Sequence, residues 1–303
     1  YAKENIELNR QLEKFSNITF DFGNVVPVTF ECDTLVGQDI NLYLADMHIG
    51  ADVYSSCVYQ ENVGYGKQEI KRRLTEVIKK LSEIGGCDTL NLVLLGDQVD
   101  CCGVYGKTAS LTHDLPENMT PNEQANTYIE IMIWFIASIV DNHIANKINL
   151  YSVPEGNHSG SFEYVCNKAI MAYINVGFPG IRTVLWDKFY GVFKQGVHTF
   201  ICSHGKASTF FKKGYPLNLD DRTKNLIYEW LDSEKIYGDN VHFIKGDLHS
   251  SNMNSCKRFD YRNVLSLFGA SDYSTANYSR NSYGVSYDLI MGDNIMHGTF
   301  ENM

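Results

Sequence analysis

Five short polar clusters carry residue types able to do chemistry: Asp46-x-His48, Gly96-Asp97-x-x-Asp100, Gly156-Asn157-His158, Ser203-His204-Gly205 and Gly246-Asp247-x-His249. They supply carboxylates, imidazoles and one amide oxygen. That mixture suits Mn, Fe or Zn at a two-metal site, and it is too rich in nitrogen for calcium. Turn chemistry alone often puts Asp and Asn at strand ends, and it is the bland explanation for Asp100 in particular. What sets the series apart is that all five clusters follow apolar runs.

The elements that must position them are legible in the hydrophobic period. The runs 41–45, 90–95, 148–153, 197–202 and 241–244 predict strands, and each leads into one cluster. In open α/β sheets, sites gather beyond the carboxyl ends of strands, so five strands can aim these residues into one crevice. Ile70, Leu74, Val77, Ile78 and Leu81 recur at helical spacing and predict a helix over 68–84, stopped by Gly85-Gly86. Further helices are predicted over about 122–145, 161–175 and 221–234, the last with Leu226, Ile227, Trp230 and Leu231 inward. Strands at 183–186, 190–193, 255–260, 262–269, 284–291 and 294–300 complete the reading. A βα alternation followed by antiparallel strands implies an α/β fold, two face-to-face mixed β-sheets flanked by helices.

Composition narrows the function. The 303 residues suffice for a real core, and the hydrophobic fraction of 44% is ordinary for a globular chain. No apolar run approaches the roughly 20 residues that span a bilayer, so no membrane partner is expected. The net charge of −10 argues against a generic nucleic-acid binder, since phosphate affinity comes from clustered Lys and Arg. Eight cysteines without a C-x-x-C spacing read as reduced, mostly buried thiols, which implies a cytoplasmic protein. The vicinal Cys101-Cys102 pair reads as loop filler rather than as a redox switch. The chain starts at Tyr1 rather than Met, so an upstream piece is expected to be missing.

The ordered series D-x-H, G-D-x-x-D, G-N-H, H and x-x-H resembles the calcineurin-like metallophosphoesterase superfamily, over Asp46 to His249. The resemblance implies a four-layer αββα sandwich over residues 36–303, with 1–35 a helical or linker segment ending a truncated upstream region. It implies two divalent metal ions, with Mn favoured and Fe, Zn or Mg as alternatives. Asp46, His48 and His249 would hold one metal. Asp97 would bridge to the second, which Asn157 and His204 also hold. His158 would face the substrate as general acid, oriented by Asp100. The family's usual histidine is replaced by Asp247, which either ligates through oxygen or leaves that site weaker. In the family, two cations clamp the phosphoryl oxygens and turn a shared water into the attacking hydroxide.

The substrate is expected to be a phosphoester. Asp46-Met-His48-Ile-Gly50 is similar to SbcD-like DNA repair exonucleases. Ala45, Cys101 and Ser159 depart from the protein serine/threonine phosphatases. The leading expectation is a nuclease-like phosphodiesterase acting on DNA. The alternatives are a phosphomonoesterase or nucleotide phosphodiesterase, and a metal-binding scaffold without turnover. Lys206, Lys212 and Lys213, in the loop after His204, either contact flanking phosphates or are plainly solvated. Lys71-Arg72-Arg73 reads as a solvated helix face. His113, His143, His198, His242 and His297 are assigned to surface or satisfied core positions. Tyr273, Tyr278, Arg280 and Tyr283 read as a cap on the second sheet rather than as a base-stacking segment.

Overall fold

The computed structural model describes residues 25–30, 37–53, 64–111, 114–207, 213–238, 240–269 and 282–303. Two sheets face each other. In the first, β1 (Asp39–Leu44), β2 (Cys87–Leu94), β3 (Ala145–Ser152) and β4 (Arg182–Leu185) run parallel. The antiparallel hairpin β10 (Gly284–Met291) and β11 (Asn294–Glu301) extends the sheet beyond β1. The second sheet has the order β5 (Gly191–Gln195), β6 (His198–Ser203), β7 (Val241–Lys245), β9 (Asp260–Asn263), β8 (Asn252–Ser255). Its centre, β6-β7-β9, is parallel, and β5 and β8 are antiparallel edges.

Side-chain alternation assigns the layers. Ile40, Leu42 and Leu44 of β1 face outward, against α1 (Lys67–Glu83), α2 (Pro121–Asp141) and α3 (Ser161–Gly177). Tyr43, Val93 and Tyr151 face inward, onto Phe193, Phe200, Cys202 and Ile244 of the second sheet. Ile201 and Phe243 face outward again, against Ile227 and Leu231 of α4 (Asp221–Ser233). The result is the expected α/β class, helices, sheet, sheet and helix in four layers. Among the described residues, no helix is long and apolar enough to cross a membrane.

Local chemistry sets the helix limits. Thr120 caps α2 by accepting from Glu123 N, while the Glu123 carboxylate accepts from Thr120 N, with Pro121 starting the helix. The helix stops at Asp141, short of the expected 145, because His143 takes a left-handed φ of 52° and the chain enters β3 at Ala145. In α4 the apolar side is narrower than expected, and Leu226 is exposed. The expected strand 255–260 is instead the turn of the β8–β9 hairpin, closed by Cys256 N donating to Phe259 O.

The expected strand 262–269 ends at Asn263, and the reason matters for the site. Val264 N still donates to Lys245 O of the second sheet, but Leu267 N and Phe268 N donate to Ala45 O and Asp46 O of the first. The segment therefore crosses from one sheet to the other. Arg73, expected on a solvated face, is fully buried and donates through Nη1 to Leu267 O (2.8 Å) and Phe268 O (2.9 Å). Its guanidinium lies over Tyr65 and Tyr283, with Glu69 as its ion-pair partner. Tyr283 thus caps this cation, and Tyr273, Tyr278 and Arg280 lie outside the described residues. Arg73→Ala strands two buried carbonyls and is expected to cost about 3 kcal/mol. A thermal melt should show a Tm lower by roughly 6–10 °C; an unchanged Tm would remove Arg73 from this role.

Residues 25–30 run along α2. Trp134 Nε1 donates to Val26 O, Asn142 Nδ2 to Val28 O, and Phe30 N to Asn142 Oδ1.

Candidate metal centre

All five clusters meet beyond the carboxyl ends of β1, β2, β3, β6 and β7. The first two are zipped by backbone: Asp46 N donates to Gly96 O, His48 N to Asp97 O and Asp100 N to Ile49 O. Asp46, His48, Asp97, Asp247 and His249 all have φ between 45° and 75°. That region is costly for residues with a side chain, and it is held only where surrounding bonds over-determine it. Two glycines are required by close approach. A Cβ on Gly156 would fall on the Asp97 carboxylate, and one on Gly96, at φ 94°, would lie 2.8 Å from His204 Nδ1.

One group of ligand atoms comprises Asp46, His48 and His249. His48 Nδ1 is bonded to Asp100 Oδ1 at 2.7 Å, and His249 Nδ1 donates to Gly269 O at 2.7 Å. A carbonyl or carboxylate oxygen only accepts, so each Nδ1 carries the proton and each Nε2 presents a lone pair. Those two nitrogens face each other at 3.1 Å. Asp46 Oδ1, buried and without a hydrogen-bond partner, lies 3.5 Å from His249 Nε2 and 3.8 Å from His48 Nε2. With both rings neutral, three acceptors converge with no donor between them.

A second group repeats the pattern with Asp46, Asp97 and His204. His204 Nδ1 donates to Leu95 O at 2.9 Å, so its Nε2 is the nitrogen turned toward Asn157 Oδ1 (3.0 Å) and Asp97 Oδ2 (3.1 Å). Burial disfavours a charged His204, but the Asp97 carboxylate outweighs it and holds the pKa up at about 10. The pocket calls for positive charge at that point, as a proton or as a cation. Converging carboxylate and imidazole atoms, each oriented from behind by a bond on its far side, fit divalent transition metals.

Asp100 Oδ1 also accepts from His158 Nδ1 at 3.2 Å, so one carboxylate orients both histidines. The His158 side chain is 26% exposed, against 0–12% for those of His48, His204 and His249, and it faces the open side. Burial lowers its pKa, but the Asp97 charge and the Asp100 bond raise it to about 9.

The carboxylate common to these two groups is Asp46; Asp97, the bridge that the resemblance implies, belongs to the second. Asp97 Oδ1 is engaged by His158 N (2.9 Å) and by Ser159 N and Oγ (3.3 Å each). Asp247 contributes its backbone, donating to Asp46 Oδ2 at 3.1 Å. Its carboxylate belongs to neither group and lies beside Gly214 and Lys206 at the rim. Lys213 is exposed on the same loop, and Lys212 lies outside the described residues.

Several supporting residues escaped the sequence reading. Buried Glu163 accepts from Ser159 Oγ (2.5 Å) and Gln98 N (3.1 Å), and burial followed by the Asp97 charge pushes its pKa up to about 8. Gln124 of α2 accepts from Asp100 N and Cys101 N. Gln124 sits in a helix more than twenty residues past Asp100, and Glu163 opens the helix just after His158; neither belongs to a motif, so only the fold reveals their part. His198 and His242 are buried as expected, yet each has one ring nitrogen without a partner, so they are not satisfied core positions.

No protein-family model and no curated protein matches the sequence. Among solved structures, the chain is similar to a Vps29 complexed with zinc from Entamoeba histolytica, at 12% identity and TM-score 0.38, covering 86% of this chain and 98% of that one. It is similar to an archaeal phosphodiesterase, at 8% identity and TM-score 0.40, covering 86% and 99%. It is similar to a 5′-nucleotidase from Candida albicans, at 9% identity and TM-score 0.40, covering 91% of this chain and 53% of that one.

Proposed function

We propose that the chain is a metal-dependent phosphoesterase that hydrolyses phosphodiesters, with DNA as its substrate. The observation that carries the metal-dependent reading is the pair of lone pairs on His48 Nε2 and His249 Nε2, 3.1 Å apart beside the partnerless Asp46 Oδ1. Two imidazoles turned toward each other in this way need a positive charge between them, which a proton or a metal cation supplies. Asp46, His48 and His249 would hold one metal, and Asp46, Asp97, Asn157 and His204 a second, with Mn favoured. Bound cations supply Lewis-acid polarisation of the phosphoryl oxygens and acidification of water. His158, protonated and fixed by Asp100 through Nδ1, donates a proton to the leaving oxygen from Nε2. Asp100 holds that imidazole in the Nδ1–H tautomer only when Nε2 has given its proton up, and it stabilises the imidazolium beforehand.

The DNA reading rests on Asp46-Met-His48-Ile-Gly50 and on the lysines after His204. Lys206 borders the rim, where a flanking phosphate would pass. With Mn, the chain is expected to hydrolyse bis-p-nitrophenyl phosphate and to degrade single-stranded DNA or DNA ends. Neutralising Lys212 and Lys213 together should weaken action on DNA, increasingly so at low salt, and spare the small ester. Cleavage restricted to monoesters or free nucleotides, with a normal lysine variant, would replace the DNA reading by a small-molecule phosphatase.

A further inference from the structure

The inward faces of the sheets hold a second polar group at the other end of the same strands. His198, His242 and Asp260 lie at or beside the beginnings of β6, β7 and β9, whereas the centre described above lies past their ends. Asp288 and His297 face them from β10 and β11, as register partners. One nitrogen or oxygen from each of His242, Asp260 and His297 lies within 4.8 Å of the others.

We propose that His242, Asp260 and His297 form a separate binding site for a transition-metal cation of the zinc class, clamping the second sheet to the β10–β11 hairpin of the first. Hydrogen bonding behind the ligands argues for it. His198 Nδ1 and His242 Nε2 share one hydrogen bond of 3.0 Å, and the outer nitrogens, His198 Nε2 and His242 Nδ1, are buried without partners. When His242 Nε2 donates, its Nδ1 is a bare lone pair directed into the group. Asp260 Oδ2 lies 3.7 Å from that nitrogen. This is too long for a hydrogen bond, and it suits two atoms each about 2.0–2.2 Å from one cation.

His297 is prepared in the same way. Its Nδ1 lies 2.7 Å from Asp288 Oδ1, which leaves Nε2 as the free lone pair. Arg262 Nη1 lies 3.3 Å from the same Nδ1 but can only donate, so the shorter carboxylate bond decides the tautomer. A carboxylate behind a ligating histidine is the arrangement that orients and strengthens metal ligands. Arg262 is ion-paired with Asp288, and Tyr43 Oη donates to Asp288 at 2.5 Å, so this carboxylate is engaged as a support. The Asp260 and His297 side chains are 33% and 21% exposed, which gives a cation a way in and lets water complete its coordination.

The site does not depend on the phosphoesterase reading, and its test is metal content. The chain is stripped with chelator, saturated with zinc, desalted and assayed by elemental analysis. His297→Gln and Asp260→Asn, both at partly exposed positions, are each expected to retain one zinc per chain fewer than wild type. Both should also lose part of the zinc-induced rise in Tm while keeping the wild-type circular dichroism. A chain carrying Asp46→Asn with His204→Asn should still retain one zinc, lost on adding His297→Gln. Equal zinc content in wild type, His297→Gln and Asp260→Asn overturns the proposal. A failure of Asp46→Asn with His204→Asn to lower zinc content would instead count against the main centre.

Discussion

Asp97→Asn is expected to lower turnover by roughly 10²–10³-fold, the range for losing one preorganised electrostatic group, and to reduce metal content. The reason lies in what Asp97 faces. Its Oδ2 is 3.1 Å from His204 Nε2, and its charge, set against burial, is what raises the His204 pKa. Asn keeps the shape and removes the charge, and the new amide nitrogen can donate to His204 Nε2 and fill the place a cation needs. Backbone bonds from His158 and Ser159 to Oδ1 can persist, so the fold should survive. Metal analysis beside steady-state rates checks this. Full metal occupancy with normal turnover would contradict the placement of Asp97 at the cation site.

His158→Asn is expected to separate binding from chemistry. Turnover should fall by about 10²–10⁴-fold, the usual scale for a general acid, while metal content stays at the wild-type level. The His158 side chain has no atom in either of the two groups built on Asp46; it is grouped with His48 and Asp100, and its backbone N–H donates to Asp97 Oδ1. A leaving-group series sharpens the test. An ester with a good leaving group needs little protonation, so the defect should shrink from DNA to p-nitrophenyl esters. Loss of metal in this variant, or a uniform defect across leaving groups, would assign His158 to ligation instead. The neighbouring Asp100 is a weaker test, since its carboxylate also holds His48 and its removal would disturb both functions.

The four-layer architecture was legible because hydrophobic period reports burial locally. Asn41–Tyr43–Ala45 alternate against Leu42–Leu44 in the residues themselves, and the polar cluster after each run marks where its strand ends. Ligand types were legible for the same reason: Asp46, His48, Asp97, Asn157, His204 and His249 each sit in a short motif at a strand terminus. Helix limits and late strands were less so. Leu226 satisfies a helical period yet is exposed, because α4 meets its sheet through Ile227 and Leu231, with Tyr228 and Trp230 beside them. Residues 264–269 are apolar enough for a strand, but they cross between sheets, and a crossing has no period of its own.

What the sequence determined by itself was the inventory and its order: which side chains can bind a cation, and that strands deliver them to one end of a sheet. Only the tertiary structure decided how those side chains are oriented, because orientation depends on the atom behind each one, and those atoms come from remote segments. Gly269 O fixes the proton of His249, Leu95 O that of His204, and Asp100 that of both His48 and His158. The same holds for Arg73, whose position in a basic run suggests solvent, and whose burial follows from two carbonyls nearly two hundred residues away. It holds also for His198, His242 and His297, which match no motif and become a group only when two sheets close face to face. Local period is written in neighbouring residues, whereas hydrogen-bond direction and ion pairing across a sandwich are properties of the packed chain.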